Sequence, residues 1–257
     1  MGEMHHLKVG CADASVITSN GGTFLIDTHG IQDYSGLLPA DKILAGVFIT
    51  HQHYDHFDGL RFLRDNKYQI KYLIYSPYER RHNDSSVQYE EWREFAQLRD
   101  YFITHGAETR TPYKQDTFDG PFWSTNGLQF WMIGPEKTIA CSETREMHDA
   151  SLIVKVESST SSRKCLFAGD ASDTSLEAIA TKVTHYCDDI LHASHHGSIN
   201  GAHLEFIKKA NADFTVISTE SGVHDSVPHP TALERYRNHT KSKVYRTDQD
   251  GSLKWTI

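Results

Sequence analysis

Short runs of β-branched, aromatic and aliphatic residues recur at His6–Val9, Thr23–Asp27, Ala45–Thr50, Lys71–Tyr75, Leu128–Ile133, Ser151–Glu157, Lys164–Ala168, Phe214–Ser218, Lys243–Arg246 and Leu253–Ile257. Each reads as a strand. Several, such as Val47-Phe48-Ile49 and Leu152-Ile153-Val154, are nearly continuous in apolar character. A run without alternation suits a central strand covered on both faces, not a half-solvated hairpin. Helices must then lie outside the sheets, and Gly59–Asp65, Leu176–Lys182, Leu204–Ala210 and Thr231–His239 are the candidates, the last opened by Pro230 at a helix-start position. Between Asp84 and His105, Val87, Trp92, Phe95, Leu98 and Phe102 recur at helical spacing in a polar background, which predicts one amphipathic helix. Gly106–Asn126, rich in turn residues and aromatics, reads as an irregular excursion across the surface that could wall a pocket, and Ser158–Ser162 as a hairpin tip. Two packed halves of strand-then-helix character predict an α/β protein built as a four-layer αββα sandwich: one domain over residues 1–257 with a helical and irregular insertion around 84–126.

Composition supports a globular reading, since 257 residues with 38% hydrophobic content can fill a sizeable core. No run approaches the roughly 18 apolar residues of a membrane span. Met1-Gly2-Glu3-Met4-His5-His6 lacks the basic-then-apolar layout of a signal peptide, so no membrane association and a cytoplasmic location are the default expectations. Cys11, Cys141, Cys165 and Cys187 are scattered without paired spacing and read as reduced thiols. The formal net charge of −8 opposes a strong sequence-independent grip on duplex DNA, which relies on Lys and Arg displacing counterions. Seventeen histidines is a high count, and imidazole is the commonest metal ligand.

The chemistry gathers where strands end. His51, His53, Asp55 and His56 follow directly on Ala45–Thr50. In extended backbone positions i and i+2 share a side, so His51 and His53 can converge on one metal while the chain turns at Asp55-His56 to face a second. His148 precedes Ser151–Glu157, Asp170 closes Lys164–Gly169, and His195-His196-Gly197 follows Asp189–Ala193, so all of these can share one rim of the sheets. Asp27 ends its own strand.

These motifs resemble the metallo-β-lactamase superfamily, and within it the soluble nuclease domain of ComEC-type DNA-uptake proteins, with phosphorylcholine esterases as related cousins. The likeness runs over His6-Leu7-Lys8-Val9-Gly10, Leu25-Ile26-Asp27, the first histidine motif, His148–Ile153, Leu166–Asp170, Ser194–Ser198, His229-Pro230 and Tyr245–Asp248. It implies His51, His53 and His148 on one metal, Asp55, His56 and a second-half histidine on the other, and Asp170 bridging both. Related esterases use the later member of the histidine pair, which favours His196, although the residues alone leave His195 open. Asp27 resembles the buried aspartate that orients a ligand histidine. Competence-type members often carry Asn where this chain has His148, which implies a tighter, more zinc-like first site. Thr28-His29-Gly30 replaces a tighter Asp-Thr-Gly turn, with no role assigned to His29, and the membrane domains of the DNA-uptake proteins have no counterpart in the sequence.

The implied cofactors are two divalent ions, Zn²⁺ or Mn²⁺. At about 3.5–4 Å apart such ions can share a hydroxide and aim it at phosphorus or carbon. Asp55, His195 and His229 are the catalytic candidates, with His195 and His229 placed to serve a leaving group. The expected activity is a phosphodiesterase or nuclease-like phosphohydrolase acting on a small phosphoester, nucleotide or short single strand. An ester, lactone or amide hydrolase, or a catalytically weak ligand sensor of the same fold, are the competing classes.

Overall fold

The computed structural model describes residues 2–115, 120–181, 188–224 and 226–257. Its strands and helices are, in chain order, β1 (Glu3–His6), β2 (Ala14–Ser19), β3 (Gly22–Thr28), β4 (Ile43–Leu44), β5 (Gly46–Ile49), α1 (Tyr54–Phe57), α2 (Gly59–Asp65), β6 (Gln69–Ile70), β7 (Tyr72–Tyr75), α3 (Tyr89–Thr104), β8 (Glu108–Arg110), β9 (Trp123–Thr125), β10 (Leu128–Gly134), α4 (Lys137–Ala140), β11 (Ile153–Ser158), β12 (Lys164–Phe167), α5 (Asp173–Ala180), β13 (Ile190–His192), α6 (Leu204–Ala210), β14 (Phe214–Ile217), α7 (Pro230–His239), β15 (Lys243–Arg246), α8 (Thr247–Asp250) and β16 (Leu253–Thr256). Two seven-stranded sheets result, ordered β16-β1-β2-β3-β5-β7-β8 and β15-β14-β13-β12-β11-β10-β9, with β4 and β6 forming a small pair.

Alternation within the apolar strands builds the layers. Phe24 and Ile26 of β3, Phe48 of β5, Phe130 and Met132 of β10, and Cys165 and Phe167 of β12 meet between the sheets. Their neighbours Leu25, Val47 and Ile49 turn outward onto Phe57, Leu60 and Leu63 of α1 and α2 and Phe95, Leu98 and Phe102 of α3. Leu166 and Leu191 do the same on the far side against Leu176, Ile179, Phe206 and Tyr236 of α5, α6 and α7. Helices outside, two sheets inside and three apolar interfaces make the four-layer αββα sandwich that the both-face-apolar strands imply.

Several element boundaries differ from the sequence reading. The first strand is Glu3–His6, not His6–Val9, because Met4 and His6 face inward opposite Ile17 and Ser15 of β2. Helix α3 starts at Tyr89, not Asp84. The Asp84 carboxylate accepts the Ser86 N–H at 2.9 Å, a side-chain turn that competes with helix. The expected end of α5 at Lys182 and the thiol of Cys187 lie outside the described residues, while Cys11 and Cys141 are free thiols. Within 106–126 the chain forms β8 and β9. Trp123 stacks on Phe130 at 5.2 Å and edges onto Phe24 at 5.5 Å, so β9 helps to close the space between the sheets. No helix among the described residues is long and apolar enough to cross a membrane.

Topology places the functional rim. Strands β3, β5 and β7 run parallel to one another, as do β12 to β15, and β11 is antiparallel to β12. The C-terminal ends of β3, β5, β12 and β13 and the N-terminal approach to β11 therefore share one edge, the usual place for ligands in open α/β sheets.

Candidate metal centre

His51 leaves β5 fully buried, His53 stands at the N-terminus of α1 in extended backbone, and Asp55 and His56 lie within that helix. The His51 and His53 rings converge, with Nε2 of His51 3.0 Å from Nδ1 of His53. Nε2 of His148 comes within 3.2 Å of that same Nδ1. Asp55, His56, Asp170 and His196 form a second group, and within each group the ligand atoms lie within 4.8 Å of one another. Asp170 spans both groups. Its Oδ1 is 3.3 Å from His56 Nε2, and its Oδ2 is 3.8 Å from His51 Nε2 and 3.6 Å from His196 Nε2.

The ring nitrogens turned away from the cluster are engaged. His56 Nδ1–H donates to Asp27 Oδ2 at 2.8 Å, His196 Nδ1–H to the Ser218 carbonyl at 3.0 Å, and His53 Nε2–H to the Ser86 carbonyl at 2.9 Å. A neutral imidazole has one N–H, so in the neutral form that binds a metal the inward nitrogens of these rings carry lone pairs, and without a metal the neighbouring carboxylates draw a proton onto His56 and His196 instead. Buried His56 Nε2, His196 Nε2 and Asp170 Oδ1 have no hydrogen-bond partner. Lone pairs facing lone pairs in a buried site repel unless a cation lies between them, and outward N–H groups on carbonyls and carboxylates are the habit of metal-ligating histidines. The donor set, three imidazoles in one group and two imidazoles with two carboxylates in the other, fits divalent ions of the Zn²⁺ or Mn²⁺ kind.

Electrostatics divides the two groups. Burial, with a contribution from neighbouring His56, holds His51 well below the usual imidazole range. Burial also takes His148 down to about 3 against the pull of Asp170. At the second group burial again disfavours charge, but the Asp170, Asp27 and Asp55 carboxylates outweigh it and raise His56 well above its ordinary value. His196 rises to about 9, because Asp170 and Asp13 overcome its burial. Burial acts against ionisation of Asp170 as well, but His196 and His56 keep its carboxyl well below the usual range.

Asp27 sits in left-handed backbone at φ 55°, from which its carboxylate accepts the Thr50 N–H and hydroxyl, each at 2.7 Å, besides the His56 ring. It thereby links the end of β3 to the end of β5. The pair His195-His196 does not continue the extended backbone of β13: both residues are left-handed, at φ 54° and 52°, followed by Gly197 at 81°. The turn is held by His195 N–H on the Gly169 carbonyl at 3.0 Å and by Gly201, where a Cβ would come within 2.6 Å of the His195 Cβ. His196 nevertheless enters the second group, while His195 stays on the rim with its Nε2 3.8 Å from Asp170 Oδ2 and its Nδ1 unpartnered. His229 is not brought into the cluster. Its Nδ1 accepts the Thr231 N–H at 3.1 Å as the N-cap of α7, so that nitrogen is committed to the helix. His29 pairs with Asp58 at 3.1 Å, tying the loop after β3 to the start of α2.

Sequence reasoning passes over Asp13, Ser218 and Ser86. Asp13 is buried, with one carboxylate oxygen 3.7 Å from both His192 and His196, and its N–H donates to the Asp55 carbonyl at 3.0 Å. No periodicity marks it. A cavity of about 220 Å³ opens over Asp55, Asp170 and His196, with Cys11, His224 and Val227 at its mouth. A larger cleft of about 520 Å³ runs outward from His148 and His195 past Ser142, Ser172 and Thr174.

Residues 9–129 match the family model described as the metallo-beta-lactamase superfamily. YhfI of Bacillus subtilis, a metallo-beta-lactamase fold protein, superposes with a TM-score of 0.58 at 14% identity, covering 98% of this chain and 100% of its own. The chain has the metallo-β-lactamase fold. Other metallo-β-lactamase-fold neighbours differ in chemistry. A diphosphatase from the PhnP family aligns at a TM-score of 0.57 and 14% identity over 100% of this chain and 98% of that one. A variant of the CmlA β-hydroxylase aligns at 0.60 and 12% identity over 100% of this chain and 54% of that one. No curated protein matches the sequence.

Proposed function

We propose that this metallo-β-lactamase-fold chain is a dinuclear metal-dependent phosphoester hydrolase, with His51, His53 and His148 holding one ion, Asp55, His56 and His196 the other, and Asp170 shared. The reading rests on one observation: two adjoining sets of converging ligand atoms, with Asp170 reaching both at 3.3 to 3.8 Å. A diphosphatase and a hydroxylase share this fold, so fold alone does not choose the reaction. A divalent pair supplies Lewis acidity and a nucleophile drawn from water at neutral pH.

The chain's own residues do the rest. Asp27, through His56, and Ser218, through His196, hold the ligand rings in one tautomer. Burial keeps the His195 ring below its ordinary pKa, partly offset by Asp170. It is therefore neutral until an anionic phosphoryl group arrives, whose charge raises its proton affinity and equips it to protonate the leaving oxygen. The two cleft walls differ: the 520 Å³ cleft is lined by hydroxyls and carboxylates without Lys or Arg, whereas Arg81 and Arg145 border the space on the other side of His148. That geometry suits a small or single-stranded phosphoester better than duplex DNA, in line with the resemblance to ComEC-type nuclease domains and phosphorylcholine esterases.

The test is turnover of bis-p-nitrophenyl phosphate set beside lactone and β-lactam substrates, with Zn²⁺ or Mn²⁺ added and metal content measured. Phosphodiester cleavage by protein carrying close to two ions is expected. Faster lactone or amide cleavage would move the assignment to carbon electrophiles, and activity in metal-free protein would end it.

A further inference from the structure

Ser86 joins two histidines that the sequence keeps far apart. Its carbonyl accepts His53 Nε2–H at 2.9 Å, and its Oγ accepts the N–H of Met147, the residue before His148, at 3.0 Å. The Ser86 hydroxyl donates to Asp84 Oδ1 at 2.7 Å, and its N–H donates to the same oxygen at 2.9 Å. Asp84 is itself held, since its Oδ2 accepts the Tyr78 hydroxyl at 2.5 Å and its side chain is only 4% exposed. The turn from Tyr78 to Val87, buried at its two ends, is thus a hydrogen-bonded strap from the first sheet to the 3₁₀ turn Met147–Ala150 that carries His148.

We propose that Ser86, locked by Asp84, is the positioning residue of the first metal site, setting both the tautomer of His53 and the separation of His53 from His148. The inference rests on the dinuclear reading above. With the proton held on Nε2 by the Ser86 carbonyl, His53 must present Nδ1, the nitrogen that lies 3.0 Å from His51 Nε2 and 3.2 Å from His148 Nε2. The hydroxyl adds the spacing, because it is the one described side chain that hydrogen-bonds the backbone entering the His148 turn while its own backbone holds His53. The second group has no such dependence. Its rings are fixed through Asp27 and Ser218, on the ends of β3 and β14.

The test is a competitive titration of metal-free protein with Zn²⁺ or Co²⁺ against a chelator, the two binding steps being assigned with His53→Ala and His196→Ala. In Ser86→Ala the first site is expected to weaken about tenfold to hundredfold, the usual effect of losing an outer partner of a ligand, with the second site unmoved. The cobalt absorption of the first site should change with it, and Ser86→Thr, which keeps a hydroxyl, should restore both. If Ser86→Ala does not fold, Asp84→Asn reads the same comparison, since it keeps the volume and removes the acceptor charge. Equal weakening of both sites, or unchanged affinities in a folded variant, overturns the proposal. Wild-type protein that takes up fewer than two ions overturns the dinuclear reading and this inference together, a result distinct from two ions bound without regard to Ser86.

Discussion

At His195 and His196 two β-carbon-bearing residues in succession adopt left-handed backbone, a conformation costing roughly 1–2 kcal/mol per residue. Such strain persists where surrounding structure over-determines it, and here it turns His196 inward and leaves His195 on the rim. His196→Ala should therefore lower occupancy of the Asp55/His56 site. His195→Ala should retain both ions and lose about 10²–10⁴ in rate, most on poor leaving groups. Metal analysis beside kinetics on a good and a poor leaving group checks this, and loss of an ion in His195→Ala alone would reverse the assignment, since His148, Asp170 and His195 also form a compact donor group. Asp170→Ala should lose both ions, because its carboxylate reaches both groups. A different pair, His6 and His192, stacks at 5.1 Å inside the core. Burial, then the neighbouring His192 charge, holds His6 well below its ordinary value, and burial lowers His192 despite the opposing pull of Asp13. Both groups are bases whose folded-state pKa lies below the unfolded value. Their neutral forms suit the fold above about pH 6.5, and as pH falls through that value the unfolded chain takes up protons that the native state does not. Stability should then decline as pH falls below about 6.5. Denaturant midpoints at pH 7.5 and 5.5 measure it, and His6→Phe should flatten the difference.

Elements meet so closely at the α2 entrance that a single methyl group has no room. A Cβ on Gly59 would stand 1.8 Å from the Thr28 carbonyl oxygen and 2.9 Å from Ile31. Gly59→Ala is expected to cost about 3 kcal/mol, the upper range of overpacking, and to loosen α1 from β3, seen as a lower denaturant midpoint and weaker metal binding at the second group. The central strands were legible because β5, β7 and β12 carry buried apolar residues on both faces. The metal-ligand segments were legible because they follow those strands at once. Strand β2 was not, since Ala14-Ser15-Val16-Ile17-Thr18-Ser19 mixes small hydroxyl residues into its buried positions. Neither was β8, whose three residues are exposed. The start of α3 was overread because Asp84, Ser85 and Ser86 fall in line with a helical stripe, while their side chains make a turn that only the partner segment at Met147 explains. The left-handed turn at His195 was hidden too, for Gly197 hints at positive φ but nothing marks the two histidines before it.

The cluster joins opposite halves of the whole molecule: His51 to His56 follow the first sheet, whereas His148, Asp170 and His196 border the second. Bound ions would therefore stitch the sheets together at the rim. Chelation should lower the thermal midpoint as well as abolish turnover, since a ligand that binds only the native state stabilises it by mass action. An unchanged midpoint after verified metal removal would show that the interface between sheets holds without them. With a net charge of −8, binding of any nucleic acid should show only a modest salt slope, and steep salt sensitivity on duplex DNA would contradict the small-substrate reading. The first sheet has one further property. Its edge is closed by β16 on β1, Glu3 opposite Thr256 and His6 opposite Leu253. On a ribosome, β1 emerges long before β16, so the growing chain carries an unpaired sheet edge at β1 until β16 is made. Such late closure lengthens the interval in which nascent chains can pair with one another through that edge, so yield in cells should depend on how soon β16 follows as well as on the stability of the folded chain.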